Sequence, residues 1–317
     1  MTSKPIGLTI FQPSAQQTID VIRTCEQLGI PQVWVPTLPF APDPLPVLAA
    51  AAVQTRSIGL ATGVSVSYTR HPLALANEAF SLAQLAPGRF RLGVGTSHPF
   101  LIEGMYGMTF GRPLERLREY LAILRQALWT GSVSYRGQHY SAEAGTSAFS
   151  PPLPPPRTPI VVATVRPNMF RLAGELADGA MVSWGPMSYL KKMALPAMEA
   201  GAQAAGRPRP PLIASAPIVY DTDFDNVRQA ARAALAIYVA MPAYIEMFAQ
   251  AGYPLLPSGQ PSDELIREMF IFGDETTIRQ RLLDMYAQGA DELQVMLCPV
   301  NDPTAEALAI MRVIGRL

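Results

Sequence analysis

The sequence predicts an α/β fold, a (β/α)8 TIM barrel, and three observations support that fold class. Short runs of β-branched and aliphatic residues alternate with longer segments of helical periodicity along the chain. These runs are almost continuously apolar, as in parallel strands that are covered on both faces. Eight strand–helix units follow one another within 317 residues, a length that suits one barrel domain covering residues 1–317.

The eight predicted strands are bounded by turn-forming residues. In chain order they are residues 6–11, 32–35, 57–64, 89–95, 159–163, 180–184, 212–220 and 292–297. An open, doubly wound sheet is the alternative arrangement of such units. Eight strands in this order favour closure into a barrel.

Helical periodicity is clearest in three of the intervals between strands. Residues 72–86 repeat leucine and alanine on one face and stop at Pro87-Gly88. Residues 113–128 begin with a proline that suits a first helical turn, and residues 274–288 end before a glycine.

Two longer segments interrupt this alternation. Residues 132–158 include the proline-rich stretch "SPPLPPPRTP", which excludes a helix interior and indicates a stiff surface excursion. A polyproline ligand for a partner domain is the less favoured alternative. Residues 241–272 form the second interruption, after strand seven, and we expect them to lie near the active-site mouth, where they could act as a lid.

Composition excludes several classes of function. The formal net charge is zero, which argues against nucleic acid or an anionic membrane as partner. No apolar run is long enough to span a membrane, and the first residues do not resemble a signal peptide. Cys25 and Cys298 are predicted to be buried free thiols, and we therefore expect a cytoplasmic protein. The three histidines lack metal-ligand spacing, so no metal site is predicted.

The stretch "GRFRLGVGTSH", residues 88–98, carries the main functional question. In a TIM barrel the catalytic residues follow the carboxyl ends of the strands. Gly93-Val94-Gly95 could be mistaken for a dinucleotide loop, but the third glycine and the downstream acid are missing, and the next helix is expected only at about Pro113. We expect instead that the glycines keep the surface low, so that a flat cofactor ring can lie close.

His98 ends this stretch and is the candidate catalytic residue. A histidine beside a cofactor can donate or accept a proton near neutral pH. The alternative is a structural histidine that holds the following loop. His71, just before a predicted helix, is expected to cap that helix or anchor its loop, and His139 lies in the predicted surface excursion and is not expected to be catalytic.

Residues 165–170 pass from strand five into a helix. Free backbone N–H groups at such a helix start bind phosphate without a P-loop signature. Arg166 could add positive charge, or could be a solvated surface arginine. The sequence contains no P-loop and no nucleophile elbow, so a hydrolase has little support.

Several stretches resemble the bacterial luciferase-like monooxygenase superfamily. They include "YTRHPLALANEAFSLAQLAPGRFRLGVGTSH", "EGMYGMTFGRPLERLREYLAIL", "GELADGAMVSW" and "FGDETTIRQRLLDMYAQGADELQV", in the order of the family. Together with "YVAMPAYIEMFAQAG" they are most similar to the coenzyme F420-dependent oxidoreductase branch, whose close relatives use FMN.

The resemblance implies a TIM barrel with an insertion after strand seven, and a homodimer. It also implies a cis peptide bond between Gly63 and Val64, which forms a bulge behind the central ring of the cofactor. The phosphate would sit on backbone donors of residues 165, 166, 168 and 169. The implied cofactor-binding residues are Thr37, Gly63, Val64, Ser65, Thr96, Ser97, Val165, Arg166, Asn168 and Met169. Tyr68 and Trp184 would shape the substrate pocket.

The expected reaction is hydride transfer between reduced coenzyme F420 and a small neutral organic substrate, with His98 assisting proton transfer. The protein would supply position and electrostatics. An FMN-dependent monooxygenase and a non-catalytic flavin-binding protein are the two alternatives. Sugar-phosphate dehydrogenases of the superfamily have an Asp-His pair after strand two and a phosphate-binding lysine. Here Pro36-Thr37 and Pro186 stand at those places, which argues against a sugar phosphate.

Overall fold

Parallel strands close into a barrel in the computed structural model, which describes residues 4–145 and 157–317. The strands are β1 (Ile6–Thr9), β2 (Gln32–Val35), β3 (Gly59–Thr62), β4 (Ser65–Val66), β5 (Phe90–Gly95), β6 (Val133–Arg136), β7 (Ser141–Ala144), β8 (Ile160–Ala163), β9 (Gly179–Val182), β10 (Leu212–Val219), β11 (Ile271–Phe272) and β12 (Glu292–Leu297).

The helices lie between successive strands. They are α1 (Ala15–Gln27), α2 (Pro44–Ala52), α3 (Pro72–Leu85), α4 (Pro99–Gly104), α5 (Pro113–Thr130), α6 (Pro167–Leu176), α7 (Met187–Tyr189), α8 (Leu195–Ala204), α9 (Phe224–Leu235), α10 (Pro242–Ala251), α11 (Asp263–Met269), α12 (Glu275–Ala287) and α13 (Pro303–Ile314). None of the helices in the described ranges is long and apolar enough to cross a membrane.

Closure of the sheet confirms the predicted barrel. Around the barrel the strands follow the order β1-β2-β3-β5-β8-β9-β10-β12, and β12 pairs with β1 through Leu293 and Ile6. The pairing of β9 with β10 completes the ring, so the open doubly wound alternative is wrong. Strand β4 is a short addition beside β5, and β11 is a short addition beside β10.

Helix α5 shows how the outer layer is built. Its leucines at 117, 121, 124 and 128 recur at helical spacing, and all are buried against the barrel. Gly131 follows in the left-handed conformation and ends the helix. The apolar stripe that predicted this helix is therefore the face that joins it to the sheet.

The polarity of the side chains inside the barrel changes along the barrel axis. Near the amino ends of the strands, Arg91 and Glu292 form an ion pair. The next layer is apolar and consists of Trp34, Ala61, Val161, Met181 and Ile213. Above it lie Thr9, Ser215 and Gln294, all buried, so polar groups reappear where the strands end.

Three expectations need correction or qualification. A helix, α4, begins directly after His98, whereas the sequence predicted none before Pro113; its six residues are too few for a periodic signal. The excursion after α5 includes an antiparallel hairpin of β6 and β7. Most of the proline-rich stretch falls in residues 146–156, outside the described residues. Both cysteines are buried and free, as predicted.

Candidate active site at the carboxyl ends of the strands

A bulge follows β3 at the barrel mouth. The peptide bond between Gly63 and Val64 is cis, which confirms the bond that the resemblance implied. The Gly63 N–H donates to the Val35 carbonyl at 2.8 Å, and the Val64 carbonyl accepts from the Thr37 N–H at 3.2 Å. These bonds fix the bulge to the end of β2, and the chain then continues as β4 along β5.

Gly93 and Gly95 of β5 lie against this bulge. The Thr62 hydroxyl donates to the Gly93 carbonyl at 2.8 Å and accepts from the Gly93 N–H at 2.9 Å. The Thr62 carbonyl occupies the space of a Cβ on Gly93, and a Cβ on Gly95 would lie 2.9 Å from the Val64 side chain. The glycines thus make room for the bulge itself, and their role in letting a flat ring lie close stays a prediction.

Polar atoms without partners surround the bulge. They are the hydroxyls of Thr9, Thr37 and Ser65 and the amide oxygen of Gln294; each is buried and has no hydrogen bond within the described ranges. Buried polar groups are normally paired, so such a group is typical of a site that a ligand completes. The Gln294 amide nitrogen lies 3.6 Å from the Cβ position of Gly63. This donor and acceptor set fits the polar edge of a flavin or deazaflavin ring.

His98 lies at the start of α4, half-buried among aromatic rings. Its ring centroid is 5.9 Å from that of Tyr244, 6.2 Å from Phe100 and 6.4 Å from Tyr238. Its side chain does not cap α4, and among the described residues no hydrogen bond holds the imidazole. Burial lowers the pKa of His98 below its ordinary value, so the ring is neutral at pH 7.

The predicted phosphate segment leaves only some of its backbone donors free. The Arg166 N–H donates to the Thr164 hydroxyl at 3.1 Å, and the Met169 N–H donates to the Arg166 carbonyl at 3.0 Å. The N–H groups of Val165 and Asn168 have no partner in the described part of the chain. They are the donors open to a phosphate at the start of α6.

The Arg166 side chain already has an anionic partner. Its guanidinium forms an exposed ion pair with Glu246 of α10, at 3.1 Å. Exposed pairs of this kind contribute little free energy, so the side chain can exchange Glu246 for another anion. The Val165 carbonyl accepts from the Tyr189 hydroxyl at 2.7 Å, which holds the segment in place.

Thr96 and Ser97 line the rim between β5 and α4, and both are half-buried. Ser97 has a φ of 60°, which turns the chain so that His98 can begin the helix. Tyr68 is buried: its ring stacks on Phe110 at 5.1 Å, and its hydroxyl donates to the Gly111 carbonyl at 3.1 Å. The structure therefore groups Tyr68 with the loop after α4.

A cleft of about 380 Å³ opens on another side of the mouth. It is lined by Phe11, Trp184, Ala230, Ala233, Ala234, Tyr238, Met296, Leu297, Cys298 and Pro299. Trp184 is 5% exposed, and its ring lies 5.6 Å from that of Tyr238. Because Tyr238 also neighbours His98, this ring connects the cleft with the candidate catalytic residue. Trp184 lines this cleft and Tyr68 does not, and the substrate-pocket role of both residues stays a prediction.

Several residues at the mouth were not predicted from the sequence. Phe11 and Cys298 follow β1 and β12, so the strand-end rule that selected His98 could have found them. Tyr238 and Tyr244 come from the long segment between β10 and β11, where no pattern shows which side chains face the mouth. Gln294 stands inside an apolar strand, and a glutamine there was the available signal.

The other two histidines have structural surroundings. His71 caps α3, since its Nδ1 accepts from the Leu73 N–H at 3.3 Å, as predicted. His139 lies in the turn between β6 and β7, and its N–H and that of Tyr140 both donate to Glu119 at 2.8 Å.

Comparison with known proteins agrees with this architecture. The sequence model of the family described as luciferase-like monooxygenase matches residues 2–292. An F420-dependent glucose-6-phosphate dehydrogenase from Nakamurella multipartita is 33% identical over 270 residues, 78% of each chain.

Solved structures share the whole fold. The coenzyme F420-dependent tetrahydromethanopterin reductase from Methanopyrus kandleri matches with a TM-score of 0.78 and 22% identity, over 99% of this chain and 98% of that one. The oxygenating component of 3,6-diketocamphane monooxygenase from Pseudomonas putida, in complex with FMN, matches with a TM-score of 0.72 and 21% identity, over 99% and 96%.

These similarities identify the family of the protein. The Nakamurella multipartita relative is described as F420-dependent, and the match to the family extends over most of the sequence. The chain belongs to the luciferase-like monooxygenase family and is an oxidoreductase of that family.

Proposed function

We propose that this enzyme uses coenzyme F420 and transfers hydride between the reduced deazaflavin and a small neutral organic substrate. The observation that carries the proposal is the 33% identity to an F420-dependent dehydrogenase over 78% of both chains. Its second support is the donor and acceptor set around the Gly63–Val64 bulge, which suits a flat ring with a polar edge. When bound, the reduced deazaflavin supplies the hydride.

The chain's own residues would bind and orient this cofactor. The bulge of Gly63 and Val64 would support the ring, and Thr37 and Ser65 would offer it their hydroxyls. Thr96 and Ser97 form the rim at the end of β5. The N–H groups of Val165 and Asn168 would hold the phosphate, with Arg166 adding charge once it leaves Glu246.

His98 would move the proton. Its lowered pKa keeps the imidazole neutral near pH 7, in the form that accepts a proton from a substrate hydroxyl as hydride leaves. In the reducing direction the protonated ring would return that proton. The neighbouring rings of Tyr238, Tyr244 and Phe100 limit water around the imidazole.

Equilibrium binding tests the choice of cofactor. Purified apoprotein is titrated with coenzyme F420 and, separately, with FMN, and fluorescence of the cofactor reports binding. We expect the tighter binding for F420. Tighter binding of FMN would overturn the deazaflavin proposal and place the monooxygenase first.

An FMN-dependent monooxygenase is the second candidate, because the Pseudomonas putida structure with FMN shares the fold over nearly the whole chain. A reduced flavin reacts readily with oxygen, whereas a deazaflavin lacks the ring nitrogen that makes this reaction fast. Oxygen consumption by the enzyme with its bound reduced cofactor therefore separates the two. Fast consumption would contradict the first proposal.

A His98→Ala variant tests the proton-transfer role. We expect unchanged cofactor affinity and a fall in turnover of about 100-fold, in the range typical of a lost general acid or base. Normal turnover with normal binding would exclude catalysis by His98. Wild-type protein should also be assayed with a broad panel of carbonyl compounds, imines and alcohols. Cofactor binding without conversion of any of them would favour the non-catalytic alternative.

Three further expectations belong to this proposal. We propose that the chain acts as one domain, forms a homodimer and works in the cytoplasm. The dimer is implied by the family resemblance, and the location by composition and the two free thiols. Sedimentation velocity of the purified protein would measure the oligomeric state.

A further inference from the structure

The cleft and the proposed cofactor residues occupy different arcs of the barrel mouth. Most of the cofactor residues follow β2, β3, β5 and β8, which are consecutive neighbours in the ring. Thr9 of β1 and Gln294 of β12, from the polar set described above, do not line the cleft. The cleft is built after β1, β9 and β12, with one wall from α9. A molecule in the cleft can therefore lie beside a cofactor without competing for its residues.

The lining of the cleft is uncharged. All ten of its residues in the described structure are apolar, aromatic, alanine, proline or cysteine. Alanines 230, 233 and 234 stand on one face of α9, so their small side chains create the space. The volume of about 380 Å³ lies within the usual range for small-molecule sites. No charged side chain of this lining would pair with a charged group that entered the cleft, so such a group would lose hydration without forming an ion pair.

The rim beyond the cleft is also apolar. Among the large apolar side chains that the structure shows exposed, most stand on loops at the carboxyl ends of the strands. They include Phe11, Leu38, Phe40, Phe100, Met105 and Ile237. Val53 and Leu85, at the ends of α2 and α3, stand on the opposite face of the barrel. Exposed apolar side chains that share one face of a barrel are typical of a binding surface.

We propose that the substrate is a neutral lipophilic molecule, with one apolar group seated in the cleft and the remainder lying across the rim. Phe11 belongs to both surfaces, since it lines the cleft and is half exposed at the rim, so the two are continuous. Tyr238 places the cleft next to His98, where proton transfer is proposed. The inference rests on the proposed function and narrows its substrate class.

Calorimetric titration of the apoprotein with butanone, octanone and dodecanone tests this proposal, with octanoate as a charged counterpart. Each methylene that enters the cleft should tighten binding about fourfold until the cleft is full. We expect octanone to bind at least about tenfold more tightly than butanone, and octanoate to bind at least about tenfold more weakly than octanone. Equal binding of octanone and octanoate would overturn the neutral class.

Ala233→Leu tests the cleft itself. Position 233 is exposed on α9, so the larger side chain fills the cleft without disturbing the core. Octanone affinity should fall at least about tenfold. Ala200→Leu, on an exposed face of α8 away from the cleft, is the matched control and should change nothing. Unchanged octanone binding by Ala233→Leu would show that the cleft is not the site.

Phe40→Asn tests the rim. Phe40 is fully exposed and has a φ of 57°, which asparagine tolerates, so the change removes the ring and keeps the backbone. Dodecanone should bind several-fold more weakly and octanone as before. If instead the variant changes the oligomeric state and leaves dodecanone binding unchanged, the rim is a subunit interface and that part of the proposal is wrong.

These titrations need no cofactor. Binding of F420 by the same variants is measured separately, and we expect it to be retained in both. Loss of ketone selectivity with intact F420 binding would refute the substrate class alone. Preference for FMN with intact ketone selectivity would refute only the choice of cofactor.

Discussion

Arg91 and Glu292 form an ion pair across the barrel interior, although 201 residues separate them along the chain. The Arg91 Nη1 lies 2.8 Å from both carboxylate oxygens, and its guanidinium lies over the Trp34 ring at 4.8 Å. The two side chains are only 20% and 9% exposed. Arg91 is the second residue of β5 and Glu292 the first residue of β12, so the pair joins the two strands at the amino end of the barrel.

Glu292→Leu should destabilise the protein strongly. The change leaves the Arg91 charge buried without a partner, and loss of one member of such a pair costs about 3 kcal/mol. Urea unfolding followed by circular dichroism measures the change. The double variant with Arg91→Met should recover most of the loss, because it removes both charges. Equal stability of the single and double variants would show that desolvation of Arg91 is not the cause.

Gly93→Ala should lower the free energy of unfolding by about 3 kcal/mol or prevent folding, because overpacked buried sites relax poorly. The added Cβ would collide with the Thr62 carbonyl, and backbone cannot rotate away as a side chain can. Gly104→Ala is the matched control: a Cβ there meets nothing within 4 Å, so stability should be unchanged. A Gly93→Ala protein as stable as wild type would mean that the bulge can move.

Glu26 should contribute stability that is lost in acid. Partial burial raises the pKa of its carboxyl, but hydrogen bonds from the N–H groups of Arg56, Ser57 and Ile58 and from the Ser57 hydroxyl outweigh burial and lower it to about 2. The contribution is therefore complete above the ordinary value of 4.5 and disappears as the pH falls towards 2.

A Glu26→Gln variant isolates this contribution. It should lower the free energy of unfolding by about 1 kcal/mol at pH 7, the difference between a charged and a neutral acceptor. Denaturation at a series of pH values should show that the variant and wild type converge in acid. A constant difference across that range would contradict the electrostatic explanation.

His98 should make the protein less stable at mildly acidic pH. Burial lowers the pKa of its imidazole from the ordinary value of 6.5, so below pH 6.5 the unfolded chain binds a proton that the folded protein resists. Stability therefore falls as the pH drops below 6.5 and levels off below the folded-state pKa.

His98→Gln removes the titrating group and should reduce this slope between pH 7.5 and 5. Urea unfolding at each pH measures it, in the absence of cofactor. A slope identical in wild type and His98→Gln would mean that other groups cause the acid sensitivity.

The barrel could be predicted because its strands are apolar runs with clear ends. Strands β2 and β12 have the predicted bounds, and most others differ by one to a few residues. Residues 57–64 were predicted as one strand, but the chain is interrupted at the bulge and resumes as β4. Periodicity reports which side chains face the core and carries no trace of a cis bond, so that feature came only from family resemblance.

The site could be predicted only in part, because sequence patterns report local order and not tertiary packing. Position at a strand end selected His98, since that rule depends on local order along the chain. The rings that enclose the imidazole, Tyr238 and Tyr244, come from a segment far along the sequence, and only tertiary packing brings them there. Likewise, the intramolecular bonds made by the N–H groups of Arg166 and Met169 depend on local geometry that residue types do not reveal.

The ion pair of Arg91 and Glu292 also has a kinetic consequence. With the apolar layer around Trp34 above it, the pair leaves no passage through the barrel axis, so the mouth is a dead end. Cofactor and substrate must then enter and leave through the barrel mouth alone. Because the cleft and the cofactor residues lie side by side at this one opening, neither molecule has to leave before the other binds, and the enzyme should bind them in random order.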